Sequence, residues 1–544
     1  MYSDKKNVRQ VSALLKAHGV RKVVICPGNL CVPLAQTLLH IPDYTCYPLN
    51  DERSAGFFAI GLALHDAAPV AVVCNEGSAL ANLLPAVTEA FYQQVPLVVV
   101  SCGLANEGSV SLGNMVKLSV CLPDVKDDDD ALLCNRLINE ALMEATRHGK
   151  GPVLIRLQLS EPLFKCEATE LADERVIKHY QGLNMYEQDY APLVQRLNEL
   201  KKRMVVVGQM NNIYLFDKKH ERTLAKQFVW MTENLSNHTT PGNPIRRMEE
   251  LLYPMDLKTQ QNLAPELLVT FGGAVISRRL KYFLRKNKPS EHWHIAKDGK
   301  INDAFGSLTA VIEMDPFEFL EKIAPLIEDV PPVYPRQWEQ MAEKLSEPRF
   351  PYSEMMAVGR LTGSVPQGCS LHLGNGSSVR YAQFFPMPEE VEIQSNMGAE
   401  ASEGTLATAL GYATASEKIN FIVTGDMSFF NGMNALWNNS YGSNIRLMVI
   451  NNGGHAQMQS LPGFTPDERA IRFMTGSHQA SVKAWAEDRG FSYLSAHNEE
   501  ELETALPVFV KADITRQPLL LEVFTDKAAD AEALKQYYKS LRKN

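Results

Sequence analysis

The sequence predicts an α/β fold of about three doubly wound parallel-sheet domains. Short β-branched runs ending in glycine or a turn alternate with helical patterns along almost the whole chain. Such alternation suits a parallel sheet covered by helices on both faces. The length of 544 residues gives room for these domains and a sizeable core. The two ends also echo each other. A small-residue helix containing Gly61 leads to a strand ending at Gly77, then a helix and the run LVVV. A similar helix containing Gly411 leads to a strand ending at Gly425, then a helix and LMVI. The expected domains are 1–170, 185–330 and 350–544, with the first and last alike.

The elements follow in order. MYSDKKNVRQVSALLKAHG reads as an amphipathic helix rather than a signal peptide. RKVVICPG, APVAVVCNEG, VPLVVVSCG and GPVLIRLQL are strands, and SAGFFAIGLALHD and ALANLLPAVTEAFYQQ are helices. The acidic run Asp127 to Asp130 suits the N-terminus of the helix that follows it. A polar stretch near 166–185 reads as a linker, as does the Pro-rich PLIEDVPPVYPRQW. Between them, RMVVVGQM, FVWMTE, ELLVTFGG and TAVIEMD are strands. No G-x-G-x-x-G follows a strand in this middle region, so no nucleotide site is inferred there. The last region supplies CSLHLGN, EIQSNMG, INFIVTGDMS, IRLMVINNGG and PLLLEVF.

Composition narrows the function. Apolar residues are 45% and charged residues 22%, with a net charge of -9 and no basic tract, which argues against nucleic acid as a partner. The nine cysteines form no C-x-x-C pair and read as reduced thiols of a cytoplasmic protein. No apolar run reaches the ~20 residues of a membrane span.

Two strand tips carry the chemistry. One ends in Gly425-Asp426 and the next in Asn451-Asn452-Gly453-Gly454. An Asp and an Asn on neighbouring tips can grip a hard divalent cation, which takes oxygen ligands and bridges to phosphate. Two ordinary turns would show the same dipeptides.

The chain resembles the thiamine-diphosphate-dependent enzymes. Within them it is most similar to the menaquinone-pathway family of 2-succinyl-5-enolpyruvyl-6-hydroxy-3-cyclohexene-1-carboxylate synthases. The resemblance rests on DERSAGFFAIGLA, ANLLPAVTEAFYQQVPLVVVS, ENLSN, ISRRL, GNGSSVRYA, EGTLATALGYA and GDMSF. It implies a pyrimidine-binding, a central and a diphosphate-binding domain. It further implies a homodimer or homotetramer, with cofactor held between opposing subunits. Glu52 matches the catalytic glutamate that hydrogen-bonds the aminopyrimidine. Asp426, Asn452 and the carbonyl of Gly454 match the ligands of Mg2+ or Mn2+. Gly425, Ser428, Ser402 and Gly77 fall at cofactor-binding positions, and Asn375, Arg380 and Arg278 at substrate-binding ones. In that family 2-oxoglutarate is decarboxylated and the resulting carbanion adds to isochorismate.

The departures cluster at chemical positions. The family's Pro-Gly-Ser-Arg is Pro27-Gly28-Asn29-Leu30 here, and its Asp-Arg-Pro is Cys102-Gly103-Leu104. Its Asn-Arg-Gly is Asn396-Met397-Gly398. Losing one bidentate arginine costs roughly 2–5 kcal/mol. The apolar residue that supports the cofactor is replaced in Ala401-Ser402-Glu403-Gly404. Asn75-Glu76-Gly77-Ser78 adds a carboxylate near the expected pyrimidine pocket, and polar His455-Ala456-Gln457 replaces an apolar pair. Three functions follow as alternatives. One is the synthase with a rearranged pocket, and another is a thiamine-diphosphate enzyme for a less acidic 2-oxo acid. The third is a catalytically silent paralogue that serves as a binding or scaffold protein.

Overall fold

The computed structural model describes all residues except 105–109, 172, 179–186, 212–215, 238–240, 389, 400–401, 439, 456–457, 459–466 and 543–544. Its strands fall into three parallel sheets. The first holds β1 (Lys22–Ile25), β2 (Thr45–Pro48), β3 (Val70–Asn75), β4 (Leu97–Leu104), β5 (Leu118–Leu122) and β6 (Val153–Leu159), in the order β2-β1-β3-β4-β6-β5. The central sheet holds β7 (Arg203–Val207), β8 (Val229–Thr232), β9 (Leu267–Phe271), β10 (Glu291–Ile295) and β11 (Ala310–Ile312), in the order β11-β10-β9-β7-β8. The last holds β12 (Ser370–Leu373), β13 (Glu392–Gln394), β14 (Asn420–Gly425), β15 (Ile445–Asn451), β16 (Ser492–Ala496) and β17 (Leu519–Phe524), in the order β13-β12-β14-β15-β17-β16. Position for position, the first and last sheets have one topology. The central strands β3, β4, β14 and β15 are buried on both faces, which is why they read as continuous Val/Ile/Leu runs.

The echoing helices are partners as well as counterparts. Glu52–Asp66 and Thr405–Ala415 cross so closely that a Cβ on Gly61 would lie 1.9 Å from the carbonyl oxygen of Thr408. Reciprocally, a Cβ on Gly411 would lie 2.0 Å from the carbonyl oxygen of Phe58. Their flanks feed one hydrophobic cluster that joins the two sheets, with Phe57, Phe58 and Leu62 on one side and Leu406, Leu410 and Phe429 on the other.

Several elements differ from the sequence reading. β2, β5, β10 and β16 carry no strong apolar run. β2 and β5 are short and partly exposed, and β10 is the His-containing EHWHI. ALANLLPAVTEAFYQQ is two helices, Ser78–Asn82 and Leu84–Tyr92, because Pro85 can open a helix but not continue one. The Pro-rich run is not simply a linker. Pro332 precedes the helix Val333–Ala342, Pro335 sits in its first turn, and Tyr334 and Trp338, one turn apart, are buried. Asp127 caps its helix as expected, its Oδ1 accepting from the N–H of Asp130 at 2.9 Å. No helix among the described residues is long and apolar enough to cross a membrane.

Candidate active site

The pairing of β14 with β15 sets Gly425 against Ile450, so Asp426 and Asn452 emerge at adjacent carboxyl ends. In open α/β sheets, ligands bind outside those ends. Asp426 is 2% exposed. Its Oδ1 accepts from the N–H of Met427 at 2.6 Å and its Oδ2 from the N–H of Gly454 at 3.0 Å, with His478 Nε2 3.1 Å away. Gly454 has φ +135, and a Cβ there would lie 2.4 Å from the carbonyl oxygen of Thr475, so only glycine fits this approach. Lys527 Nζ reaches the carbonyl of Gly453 at 3.0 Å and steadies the same turn. Asp426, Asn452 and Gly454 thus stand at two adjacent strand tips, where they can offer a carboxylate, an amide oxygen and a backbone carbonyl. That hard oxygen set fits magnesium. Among the described residues no cluster of three or more His, Cys, Asp or Glu offers a competing metal site.

The other cofactor positions are more scattered. Gly425 has nothing within 4 Å of where a Cβ would stand, which leaves the tip of β14 open. Ser428 is half-buried in the helix Asp426–Gly432, whose Met427 N–H is already committed to Asp426. Ser402 is half-buried and its hydroxyl donates to Glu403 at 3.3 Å. Gly77 takes φ +85 ahead of the helix Ser78–Asn82, on the first sheet. Ala401, Ala456, Gln457 and the loop after Leu104 lie outside the described residues.

Glu52 opens its helix without capping it. Asp51 is the cap, its Oδ2 accepting from the N–H of Ser54 at 3.3 Å. Glu52 is half-buried and accepts from Asn82 Nδ2 at 3.3 Å. It lines a cleft of about 540 Å³ with Asn434, Trp437, Trp485 and Arg489. None of the three metal-motif residues lines that cleft.

The expected extra carboxylate near the pyrimidine pocket is accounted for. Glu76 turns into its own domain, accepting from Arg156 Nη1 at 2.7 Å, Ser101 Oγ at 2.6 Å and the N–H of Val110 at 3.1 Å. The positions of the missing arginines are apolar. Leu30 packs against the cluster containing Cys102, and Met397 is 7% exposed in the cluster of the last sheet.

The segments expected to bind substrate converge on one short turn, Asn234–Ser236. Glu233 accepts from the N–H groups of Ile276 and Ser277, both at 2.6 Å, and so fixes the start of the helix Arg278–Lys286. Burial pushes the Glu233 carboxyl up to about 7, against the pull of those two N–H groups. Asn234 Nδ2 donates to the carbonyl of Ala382 at 2.7 Å, at the end of the helix Ser377–Ala382 that carries Arg380. Asn375 and Arg380 are half-buried on either side of Gly376, whereas Arg278 is exposed. Arg279, beside it, is held by Glu249 at 3.1 Å and stacks 4.5 Å over Tyr253.

Comparison with known proteins agrees with this architecture. Residues 6–115 match the model of the thiamine pyrophosphate enzyme N-terminal TPP-binding domain. A 2-succinyl-5-enolpyruvyl-6-hydroxy-3-cyclohexene-1-carboxylate synthase of Phocaeicola vulgatus is 52% identical across 100% of this chain and 99% of its own length. One of Bacteroides fragilis is 50% identical across 100% of both. The chain belongs to the 2-succinyl-5-enolpyruvyl-6-hydroxy-3-cyclohexene-1-carboxylate synthase family. A solved thiamine diphosphate-dependent 4-hydroxybenzoylformate decarboxylase of Rhodococcus jostii superposes with a TM-score of 0.70 over 95% of this chain and 99% of its own, at 17% identity. That likeness extends the fold of this synthase family to the wider thiamine-diphosphate enzymes.

Sequence reading missed several buried polar residues, some beside Asn452 and others bracing the segment Ser395–Ala399. Glu354 is 1% exposed and lies 3.5 Å from Asn452 Nδ2. Burial pushes its carboxyl up to about 8, opposed by a hydrogen bond from Ser377 and reinforced by Asp530 and Asp426. Asp530 is 2% exposed; its Oδ1 accepts from the N–H of Glu354 at 2.8 Å and its Oδ2 from Thr525 Oγ1 at 2.7 Å. Glu89 is fully buried and accepts from the N–H groups of Gly398 at 2.9 Å and Ala399 at 2.6 Å. Gln93 and Gln209 both donate to the carbonyl of Ser395, at 2.7 and 2.8 Å. All but the Thr525–Asp530 and Ser377–Glu354 bonds join residues about 100 to 310 positions apart. For Glu89 the available signal was a Glu inside the otherwise apolar helix pattern LPAVTEAFY.

Proposed function

We propose that this chain performs the thiamine-diphosphate-dependent reaction of its synthase family, decarboxylating 2-oxoglutarate and joining the remainder to isochorismate. The observation that supports the reading is the strand register that brings Asp426 and Asn452 to adjacent tips, with the N–H of Gly454 on Asp426. There they would hold Mg2+ or Mn2+ and, through it, the cofactor's diphosphate. When bound, the cofactor supplies the electron sink that such a decarboxylation needs. Glu52 would hold and pass a proton at the aminopyrimidine. Ser428 and Gly425 would leave donors and space for the diphosphate, and Gly77 and Ser402 would hold the rest of the cofactor. Asn375, Arg380 and Arg278 would position substrate, with Arg380 binding a carboxylate through its two-pronged fork. A homodimer or homotetramer, in the cytoplasm, completes the reading.

The apolar packing of Leu30 and Met397 favours one second reading, a less acidic 2-oxo acid as donor. One experiment separates them. Purified protein with thiamine diphosphate and magnesium is assayed for carboligation of 2-oxoglutarate with isochorismate, and for decarboxylation of a panel of 2-oxo acids. The first reading expects the joined product, with kcat falling by roughly 10²- to 10⁴-fold in Glu52→Gln. Turnover of a neutral-chain oxo acid alone would establish the second. Failure to bind cofactor in calorimetry would sink both and leave a scaffold role.

A further inference from the structure

Asn452 has an amide that can face the metal site with either its oxygen or its nitrogen, and only the oxygen can ligate a hard cation. Two buried carboxyls stand beside it. Glu354 Oε2 lies 3.5 Å from Asn452 Nδ2, and Asp530 takes a hydrogen bond from the same side chain. An amide nitrogen carries two hydrogens, and two acceptors stand ready for them. The carboxyls are themselves fixed. Asp530 is held by the N–H of Glu354 and by Thr525, and Glu354 sits in the first turn of the helix Glu354–Thr362, capped by Ser353. The three residues come from three separate elements: that helix, the tip of β15 and the helix Lys527–Leu541. Burial of two carboxyls is costly and needs a function or full hydrogen bonding to offset it.

We infer that Glu354 and Asp530 are positioning residues that take the Asn452 amide hydrogens and so turn its oxygen toward the metal beside Asp426. The inference rests on the proposed reading of Asn452 as a ligand. It assigns the buried pair the outer-shell task that commonly orients metal ligands.

The test uses manganese(II) with thiamine diphosphate on the full-length protein, following free manganese by electron paramagnetic resonance. Glu354→Met keeps the bulk and removes the acceptor, and should weaken manganese binding by roughly 10- to 100-fold. Glu354→Gln keeps an acceptor oxygen and should stay within about threefold of the parent. In an Asn452→Ala background, Glu354→Met should add nothing, because the group it orients is gone. Asp530→Ala, read against the same background, is a second route if Glu354→Met does not fold. Equal losses with and without Asn452, or no loss on removing either acceptor, overturns the positioning role. If Asn452→Ala itself leaves manganese binding unchanged, the ligand reading fails first, and that failure is distinct.

Discussion

Glu76 is the residue whose location was legible and whose role was not. It follows β3, near where a cofactor pyrimidine would be expected, and a carboxylate there looked disruptive. Its side chain is 10% exposed and turned away, paired with Arg156, itself 16% exposed. Arg156 also donates to the carbonyl of Val110, so the pair pins the segment after β4 onto β6. Cutting one member of such a pair leaves the other charge buried without its partner. Glu76→Ala should therefore cost about 3–5 kcal/mol in denaturant unfolding, and removing Arg156 as well should recover part of that loss. A loss within ~1 kcal/mol, typical of surface pairs, would return Glu76 to the pocket. The same limit applies elsewhere in the site. Asp426, Asn452 and Gly454 could be picked out because they close strands in a recognisable order. Glu354, Asp530 and Glu89 could not, because their meaning lies in partners supplied by distant elements.

At the scale of elements, periodicity revealed the buried strands and the two small-residue helices. It missed strands whose burial is partial or polar, as in β2 and β10. The repeated spacing around Gly61 and Gly411 pointed to duplicated units. Only the structure reveals that the two helices pack against each other through those glycines. Gly61→Ala would raise helix propensity, by up to about 1 kcal/mol in a free helix. Here the added methyl meets a backbone carbonyl at 1.9 Å, and neither backbone can rotate away. The helices must separate, opening the cluster around Phe57, Phe58, Leu406 and Leu410. The expected net loss is about 3 kcal/mol or more, at or beyond ordinary overpacking. Gly411→Ala should behave alike, and the double variant should lose less than the sum, because helices already parted pay less for a second methyl. Unfolding midpoints of the three variants check this, and a stabilised Gly61→Ala would refute the close crossing.

For the whole molecule, the cleft that Glu52 lines includes none of Asp426, Asn452 and Gly454. Glu52 lines a cleft with Asn434, while Asp426 opens the helix that precedes Asn434, about 12 Å back at helical rise. Arg53 donates to the carbonyl of Asn431, near the end of that helix remote from Asp426. Glu52 and the proposed metal motif therefore face different surroundings within a subunit. A two-fold pair of subunits would supply each site with Glu52 from one chain and Asp426 from the other. Mixing tests this. Glu52→Gln and Asp426→Ala should each be nearly inactive alone. Once their subunits exchange, half the dimers are mixed, and each mixed dimer has one site with both native residues. Recovered activity should approach about a quarter of the parent's. The recovery should appear only under conditions that allow exchange, such as dilution followed by reconcentration. If the mixture stays inactive while mixed dimers are demonstrated by differential tagging, Glu52 and Asp426 act within one chain. The cleft beside Trp437 and Trp485 would then have to close onto the metal motif by a movement of the helix Asp426–Gly432.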